Sequence, residues 1–401
     1  MAPSSAHRRK QGFNRPFQNP PPETSTRKTA TRFPGTYALN NPNRPPAGVL
    51  GIGLEALLPA GTYAPRRGPL LDRQPSGARD AGALAHLLDS LHHRKDWSGP
   101  WYRRSVSALK YLVRSLGIGA QHQRFLALIA ADSVMHAYRL RDPRLLERHM
   151  HRYVNAHWHR RDRLTYLQQH YRFAKAHLPP GLYELVYAMG HASLGSFTAK
   201  DGSLLTLCMR PPIHMGCEGE LCLQLCDANE DPLYSIVFTI ADEKPTLMIG
   251  CLQGPGGENA RDLVRELTRI LHGMRPKQLM LSLAYAFARH YGIERLVAIG
   301  NDAHPLRRSG RPLFADYDAF WEEQRGQRIG GGWYALPASL TQKAAADVPS
   351  HHRAAFRRRE ALRREVEQLL LNALQPPMPV SASAAPRAMR SMFPLMAGSG
   401  R

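Results

Sequence analysis

Three polar residues, Asn301, Asp302 and His304, have the side chains and the close spacing that acid–base chemistry requires. They directly follow the apolar run ERLVAIG at 294–300, which has the composition of a buried strand. Ligand sites of α/β folds lie beyond the carboxyl ends of such strands. Because histidine titrates near neutral pH, we expect His304 to act as the general acid or base, with Asp302 and Asn301 beside it. The competing interpretation is a loop that begins with a capping Asn-Asp pair.

A group of glycines, Gly254, Gly256 and Gly257, separates an apolar segment from a helical pattern and is a candidate for phosphate binding. Backbone N–H groups in such a loop can bind phosphate, and the helix dipole adds attraction. The loop lacks the Lys-Ser/Thr pair of a P-loop and the third glycine of a dinucleotide fingerprint. Glu258 places a carboxylate where an anion would bind, so the sequence favours a turn.

Zinc binding is the next possibility, with His214, Cys217, Cys222 and Cys226 as candidate ligands. Cys222 and Cys226 lie on one predicted strand, and at about 3.3 Å per residue they are about 13 Å apart. Two thiolates on one zinc ion must lie within about 4 Å of each other. The spacing argues against a metal, and GHASLG at 190–195 does not have the spacing of a G-x-S-x-G nucleophile.

The elements that would position these residues follow two hydrophobic periods. Helical spacing dominates residues 80 to about 178, and Pro179-Pro180-Gly181 ends it. From 192 to 253, short apolar segments between polar turns predict an antiparallel meander of four or five strands. Further on, the pattern predicts helices at 258–272, 276–291, 316–324 and 350–371, and strands at 294–300 and 331–337.

These patterns predict an α+β fold in which a helical N-terminal region precedes a mixed, mostly antiparallel sheet with helices. Residues 1–79 are rich in Pro and Arg and, like the tail at 373–401, lack the apolar residues that would offset their ordering entropy. We expect both to be disordered. The remaining chain divides into a helical region at 80–180 and an α+β core at 181–372 with a basic C-terminal helix.

Charge and cysteine content limit the partners and the compartment. The chain has 54 Lys and Arg residues against 32 Asp and Glu, a net charge of +22, which suits nucleic acid or an anionic membrane surface. Basic residues run from Arg8 to Arg401 instead of gathering on one helix, which argues against specific nucleic-acid binding. Five cysteines, an odd number, favour a reducing compartment. With no signal-peptide pattern and no spanning stretch, we expect a cytoplasmic protein that could lie peripherally at the inner membrane.

Several segments resemble, in this order, the VirK/YbjX family of bacterial proteins: IGCLQG, HGMRPKQLMLSLAYAFARHYGI, YDAFWEE, GGWYALP and SHHRAAFRRREALRREVEQL, with QQHYRF at 168–173 upstream. The resemblance covers roughly residues 80–372 and depends on order and spacing, since no segment is a catalytic signature. It implies a role in virulence, in the placement of outer-membrane proteins, or in resistance to cationic antimicrobial peptides through envelope remodelling. The implied partner is an outer-membrane protein client or an envelope lipid precursor.

The second half of the chain is also similar to acyl-CoA acetyltransferases of the GNAT superfamily. In that superfamily a meander is followed by a buried helix, a strand that ends in Asn and a helix that contains Tyr. Here the buried helix falls at 276–291, the Asn is Asn301 and the Tyr is Tyr317. The similarity implies acyl-CoA as a possible cofactor, with Gln253 and Gly254 after the meander and Arg275 and Lys277 at the helix start as its ligands. Both basic side chains suit phosphate. The loop from Gln253 to Glu258 departs from the superfamily pattern, so a protein that binds a client or lipid without chemistry remains an alternative.

Overall fold

The structure is a computed structural model that describes residues 81–212, 217–241, 244–307, 316–340 and 345–376. The predicted arm at 1–79 lies outside the described residues. Of the predicted tail at 373–401, the first two residues complete a helix, and the part from 377 onward lies outside the described residues.

The first hundred described residues are helical, as the hydrophobic spacing predicted. Asp132 caps one of these helices by accepting hydrogen bonds from the backbone N–H groups of Val134 and Met135. The elements are α1 (Ala81–Asp89), α2 (Trp101–Leu116), α3 (Ala120–Ala130), α4 (Ser133–Arg141), a 3-10 helix (Pro143–Met150), α5 (Arg160–His177) and α6 (Pro180–Glu184), which continues into a π-helical turn (Leu185–Met189).

An eight-stranded sheet follows, in the order β1-β2-β3-β4-β5-β6-β8-β7. All neighbouring strands are antiparallel except β5 and β6, which are parallel. The α+β prediction is therefore confirmed. The strands are β1 (Ala192–Thr198), β2 (Leu204–Arg210), β3 (Leu221–Cys226), β4 (Pro232–Ala241), β5 (Thr246–Gln253), β6 (Arg295–Ile299), β7 (Gln327–Ile329) and β8 (Trp333–Ala335).

Helices connect the parallel strands and cover the sheet. Between β5 and β6 the chain forms α7 (Ala260–Ile270) and α8 (Pro276–His290), and α9 (Tyr317–Glu323) lies between β6 and β7. α8 is apolar on nearly all sides and is buried from Leu279 to Ala288, because it packs against the sheet beneath and against α10 above. In the described residues, no helix has both the length and the apolar composition that crossing a bilayer requires.

The last helix, α10 (Ser350–Leu374), docks by one face onto α8 and β1. Its buried apolar residues are Leu362, Val366, Leu370 and Leu374, at steps of four. The side chain of Leu369 lies directly over Gly195 of β1, where an added Cβ would come within 2.8 Å of it. The glycine thus allows the helix to approach the strand closely.

Candidate functional site

The parallel strands β5 and β6 part at their carboxyl ends. Their register ends at the pair Ile249 and Ala298, while β5 continues to Gln253. Gly250 forms a bulge there, since Val237 and Phe238 on β4 pair with Cys251 and Ile249 and leave Gly250 without a partner. Bulges of this kind redirect a strand and occur often beside functional sites.

The segment that precedes β3 lies over the bulge. A Cβ added at Gly250 would lie 1.9 Å from the carbonyl oxygen of Glu218, so only glycine permits this contact. The same segment accepts a hydrogen bond at Cys217 O from the backbone N–H of Val154, at 2.6 Å. Val154 has φ of 49°, a left-handed conformation that is strained for a β-branched residue. Strained backbone persists where surrounding contacts impose it, and it concentrates at functional sites.

Four polar side chains meet where β5 and β6 part, a place that we call the opening: Glu218, Cys251, His304 and Tyr317. Nε2 of His304 faces Oε1 of Glu218 at 3.4 Å, and the imidazole stacks on the ring of Tyr317 with centroids 5.1 Å apart. The Tyr317 hydroxyl donates to Sγ of Cys251 at 3.6 Å and accepts from the backbone N–H of Leu252 at 3.2 Å. We call these four residues the β5–β6 cluster.

The hydrogen bonds define which atoms carry protons. Nδ1 of His304 accepts the backbone N–H of Leu306 at 3.3 Å, so the neutral ring carries its proton on Nε2, toward Glu218. Burial raises the pKa of Tyr317 and that of Cys251 well above their usual ranges. Both groups are therefore proton donors at neutral pH, and Cys251 is not the thiolate that nucleophilic catalysis needs.

The three predicted acid–base residues do not form a single group. Asn301 joins β6 to α9: its Oδ1 accepts from the backbone N–H of Tyr317 at 2.9 Å, and its Nδ2 donates to Asp316 at 2.8 Å. Asp302 instead forms a surface ion pair with Arg328 at 2.9 Å. Of the three, His304 alone lies in the β5–β6 cluster, and sequence reasoning missed its neighbour Glu218. A carboxylate after a glycine-containing loop carried no signal that would have revealed this contact.

The four predicted cofactor ligands lie around the start of α8 and the end of β5. Gln253 is exposed, and Gly254 packs against the ring of Tyr234, which an added Cβ would approach to 2.7 Å. Arg275 forms a bidentate pair with Glu323 of α9, with one hydrogen bond at 2.9 Å. Because both side chains are near 40% exposed, such a pair contributes little and leaves the guanidinium able to bind another anion.

Lys277 lies beside that pair. Its Nζ lies 4.2 Å from the ring centroid of Phe320, and partial burial, followed by the charge of Arg275, lowers its pKa. Burial, followed by the effect of Cys251, raises the pKa of Tyr234 to about 12, and the charge of Arg275 opposes this rise. Two cations next to a polar cluster at the end of parallel strands are suited to a ligand with phosphate at one end and a reactive group at the other.

A second polar network lies behind the opening and was not predicted from the sequence. Arg148 and Glu220 form an ion pair in which both side chains are fully buried. Tyr171 donates to Glu220, and Arg148 also bonds the hydroxyl of Tyr138 at 2.6 Å and the carboxylate of Asp142 at 2.9 Å. Burial raises the pKa of Glu220 to about 7, against the opposing effect of Arg148. This network anchors the segment that carries Glu218.

Comparison with known proteins identifies the family. The profile of a family described as "Protein of unknown function (DUF535)" matches residues 101–371, and the chain belongs to this family. It is 29% identical over 286 residues to the uncharacterized protein YbjX of Escherichia coli (strain K12), an alignment that covers 69% of this chain and 84% of that protein. The predicted membership of the VirK/YbjX family is therefore confirmed.

Two further matches cover less of this chain. A protein named "Membrane protein LapB" from Mannheimia haemolytica is 29% identical over 153 residues, which are 37% of this chain and 63% of that protein. Among solved structures, a cAMP-binding acyltransferase from Mycobacterium smegmatis aligns over 53% of this chain and 60% of that chain, with 9% identity and a TM-score of 0.24. A similarity of that extent supports no argument about fold or activity.

Proposed function

We propose that the protein transfers an acyl group from acyl-CoA to a lipid precursor of the bacterial envelope. The observation that supports this proposal is the β5–β6 cluster, which combines a carboxylate, an imidazole and a phenol at the place where two parallel strands part. A site that transfers an acyl group needs a base for the acceptor, a proton donor for the leaving group and an anchor for the donor molecule. The opening has a candidate for each.

Glu218 is the group that accepts the acceptor's proton, because it is the more exposed partner of the pair it forms with His304. The acceptor oxygen or nitrogen then attacks the thioester carbonyl carbon, and the carbon–sulfur bond breaks. The Tyr317 hydroxyl, held neutral by burial, donates its proton to the departing thiolate. His304 lies beside Glu218, with Nε2 3.4 Å from Oε1, so we assign it a positioning role and not the role of direct base.

The donor's phosphates are assigned to Arg275 and Lys277 at the start of α8. Both side chains retain exposed area, and the helix start adds the positive end of its dipole. Gln253 ends β5 and Gly254 follows it, where an extended ligand could lie along the parted strand. Asn301 and Asp302 act in this proposal by fixing α9 and the loop after β6 and have no chemical role.

The envelope assignment rests on what the VirK/YbjX resemblance implies and is consistent with the name of the Mannheimia haemolytica relative. Acylation of a lipid precursor alters the packing and charge of an envelope, which accounts for the roles in virulence and antimicrobial-peptide resistance that the family resemblance implies. A cytoplasmic location, peripheral to the inner membrane, would give such an enzyme both acyl-CoA and a lipid acceptor.

Thermal unfolding in the presence of acyl-CoA tests the donor site. Acyl-CoA should raise the melting temperature of the wild-type protein, since a ligand that binds only the folded state stabilises it. The double variant Arg275→Ala/Lys277→Ala should lose this shift. The control is Arg269→Ala, which removes another exposed Arg–Glu pair on α7 and should retain the shift. An equal shift in all three proteins would contradict the donor site.

Release of free CoA thiol in the presence of envelope lipid extract tests the chemistry. Glu218→Gln should abolish release while retaining the acyl-CoA shift, because the amide cannot accept a proton.

A second candidate function is binding of a lipid or an outer-membrane client without chemistry. It is favoured by the Tyr317 hydroxyl, which already accepts the backbone N–H of Leu252 on the parted strand. Lipid binding with no thiol release in the wild-type protein would select that function.

A further inference from the structure

An unpartnered apolar face runs the length of α2. Its members are Tyr102, Val106, Leu109, Val113 and Leu116, at steps of four and three, and all five are exposed. Leu109 and Val113 are each 61% exposed, and Trp101 at the helix start is 78% exposed. We call this row the α2 stripe. At 1.5 Å per residue it extends for about 21 Å.

The stripe points away from the protein. The residues by which α2 packs are Tyr111 and Ser115, whose helical positions lie nearly opposite the stripe. The Tyr111 hydroxyl bonds Ser90 at 2.8 Å and Nε2 of His122 at 3.0 Å, so the orientation of the helix is fixed from the inner side. The hydrophobic spacing that predicts a helix here therefore serves something other than the core.

A basic row borders the stripe. Arg103, Lys110 and Arg114 recur at steps of seven and four along one flank, and α2 has no acidic residue. Within the described part of the chain, none of the three forms an ion pair. Beside them opens a cleft of about 210 Å³, whose lining also includes the acidic residues Asp96 and Glu147. The three cations of the basic row are thus available to an external partner.

We infer that α2 lies in the surface of an anionic lipid bilayer, with the stripe among the acyl chains and the basic row at the headgroup phosphates. Helices that bind in this way combine aromatic residues and Leu on one face with Lys and Arg beside it, as α2 does with Tyr102 and Leu109. A second copy of the chain is the main competitor, since steps of four and three also suit a coiled coil. Two heptads are short for one, and a second α2 would bring cations against cations, whereas an anionic surface complements them.

Vesicle sedimentation with the full chain tests the inference. The wild type should bind vesicles that contain phosphatidylglycerol in phosphatidylcholine and bind pure phosphatidylcholine at least about tenfold less, because the basic row needs an anionic surface. Leu109→Glu/Val113→Glu should lose about tenfold or more in partition. The matched control is Met189→Glu/Leu204→Glu, which alters two other exposed apolar side chains and should bind as the wild type does.

Two readouts separate the lipid from other occupants. Trp101 emission should shift to the blue when anionic vesicles are added, and Trp101→Phe should remove that shift. Lys110→Gln/Arg114→Gln should weaken binding and its salt dependence without altering the melting temperature. Failure of the wild type to bind, equal binding to both vesicle types, or a dimer that Leu109→Glu/Val113→Glu dissociates would overturn the inference. Vesicle binding is independent of the acyl-CoA shift, so either proposal can fail alone.

Discussion

Replacing Arg148 with methionine should test whether the buried ion pair with Glu220 determines the stability of the region behind the opening. The substitution retains an apolar stem but removes the cation, leaving Glu220 fully buried with only tyrosine hydroxyls as partners. Removing one member of a buried pair typically costs about 3–5 kcal/mol, because the remaining charge is uncompensated. We expect a loss of that order in the free energy of unfolding.

Glu220→Gln should cost less than Arg148→Met. The arginine would keep the carboxylate of Asp142 at 2.9 Å and the hydroxyls of Tyr138 and Tyr171. A lost hydrogen bond to a charged group is worth roughly 1.5–3 kcal/mol. The double variant Arg148→Met/Glu220→Gln should recover most of the larger loss, because no unpaired charge then remains buried.

The pH dependence adds a second test of the Arg148→Met variant. The folded-state pKa of Glu220 is already raised to about 7, and loss of the arginine would raise it further. A carboxyl whose pKa is raised by folding favours the folded state fully below its unfolded pKa, and this contribution is lost as pH rises through the folded pKa. The deficit of Arg148→Met should therefore be smaller at pH 5 than at pH 8.

Urea unfolding at both pH values, with m-values compared, measures these differences. Arg269→Ala, which breaks an exposed pair, serves as the control and should leave the midpoint unchanged. A deficit below about 1 kcal/mol for Arg148→Met at pH 8, or one that is equal at the two pH values, would refute the assigned role of the pair.

Two further predictions concern acid stability and the bulge. Burial lowers the pKa of His170 to about 3 and that of His122 to about 4. The contribution of these neutral histidines to stability should therefore be fully present above pH 6.5 and be lost as pH falls toward these values. His122→Gln should reduce the fall in melting temperature between pH 7 and pH 4.5. An unchanged slope would contradict the assigned neutral state. Gly250→Ala should destabilise by about 1–3 kcal/mol and displace Glu218, whereas Gly256→Ala, which meets no atom within 4 Å, should not destabilise. Equal unfolding midpoints for the two glycine variants would disprove the close contact.

The sequence predicted best those elements whose pattern was long and bounded. α8 was expected at 276–291 and lies at Pro276–His290, because its apolar run is enclosed by Pro276 and Gly292. β7 was not predicted, since its three residues are exposed and have no alternation to read. The meander was predicted as four or five strands and has five, because each strand is separated from the next by a polar turn.

The polar sites were harder to predict because tertiary contacts create them. Asn301 follows the predicted strand, but its side chain caps α9, which begins sixteen residues further along the chain. This contact depends on where α9 packs, which the local sequence does not show. Arg148 and Glu220 are 72 residues apart, and neither differs from a surface residue in its local sequence. The α2 stripe shows the converse case. Hydrophobic spacing identified a helix, but spacing alone does not show whether the apolar face packs into the core or contacts an external surface.

The contact between α10 and β1 sets an order for folding during synthesis. Among the described residues, β1 is the first strand to leave the ribosome, and the helix that covers it, α10, is the last element. Leu369 lies about 170 residues beyond Gly195 in the chain, so one surface of the nascent sheet stays open until α10 has been synthesised. The contact between α10 and β1 therefore joins segments of long sequence separation, and contacts of this kind slow folding.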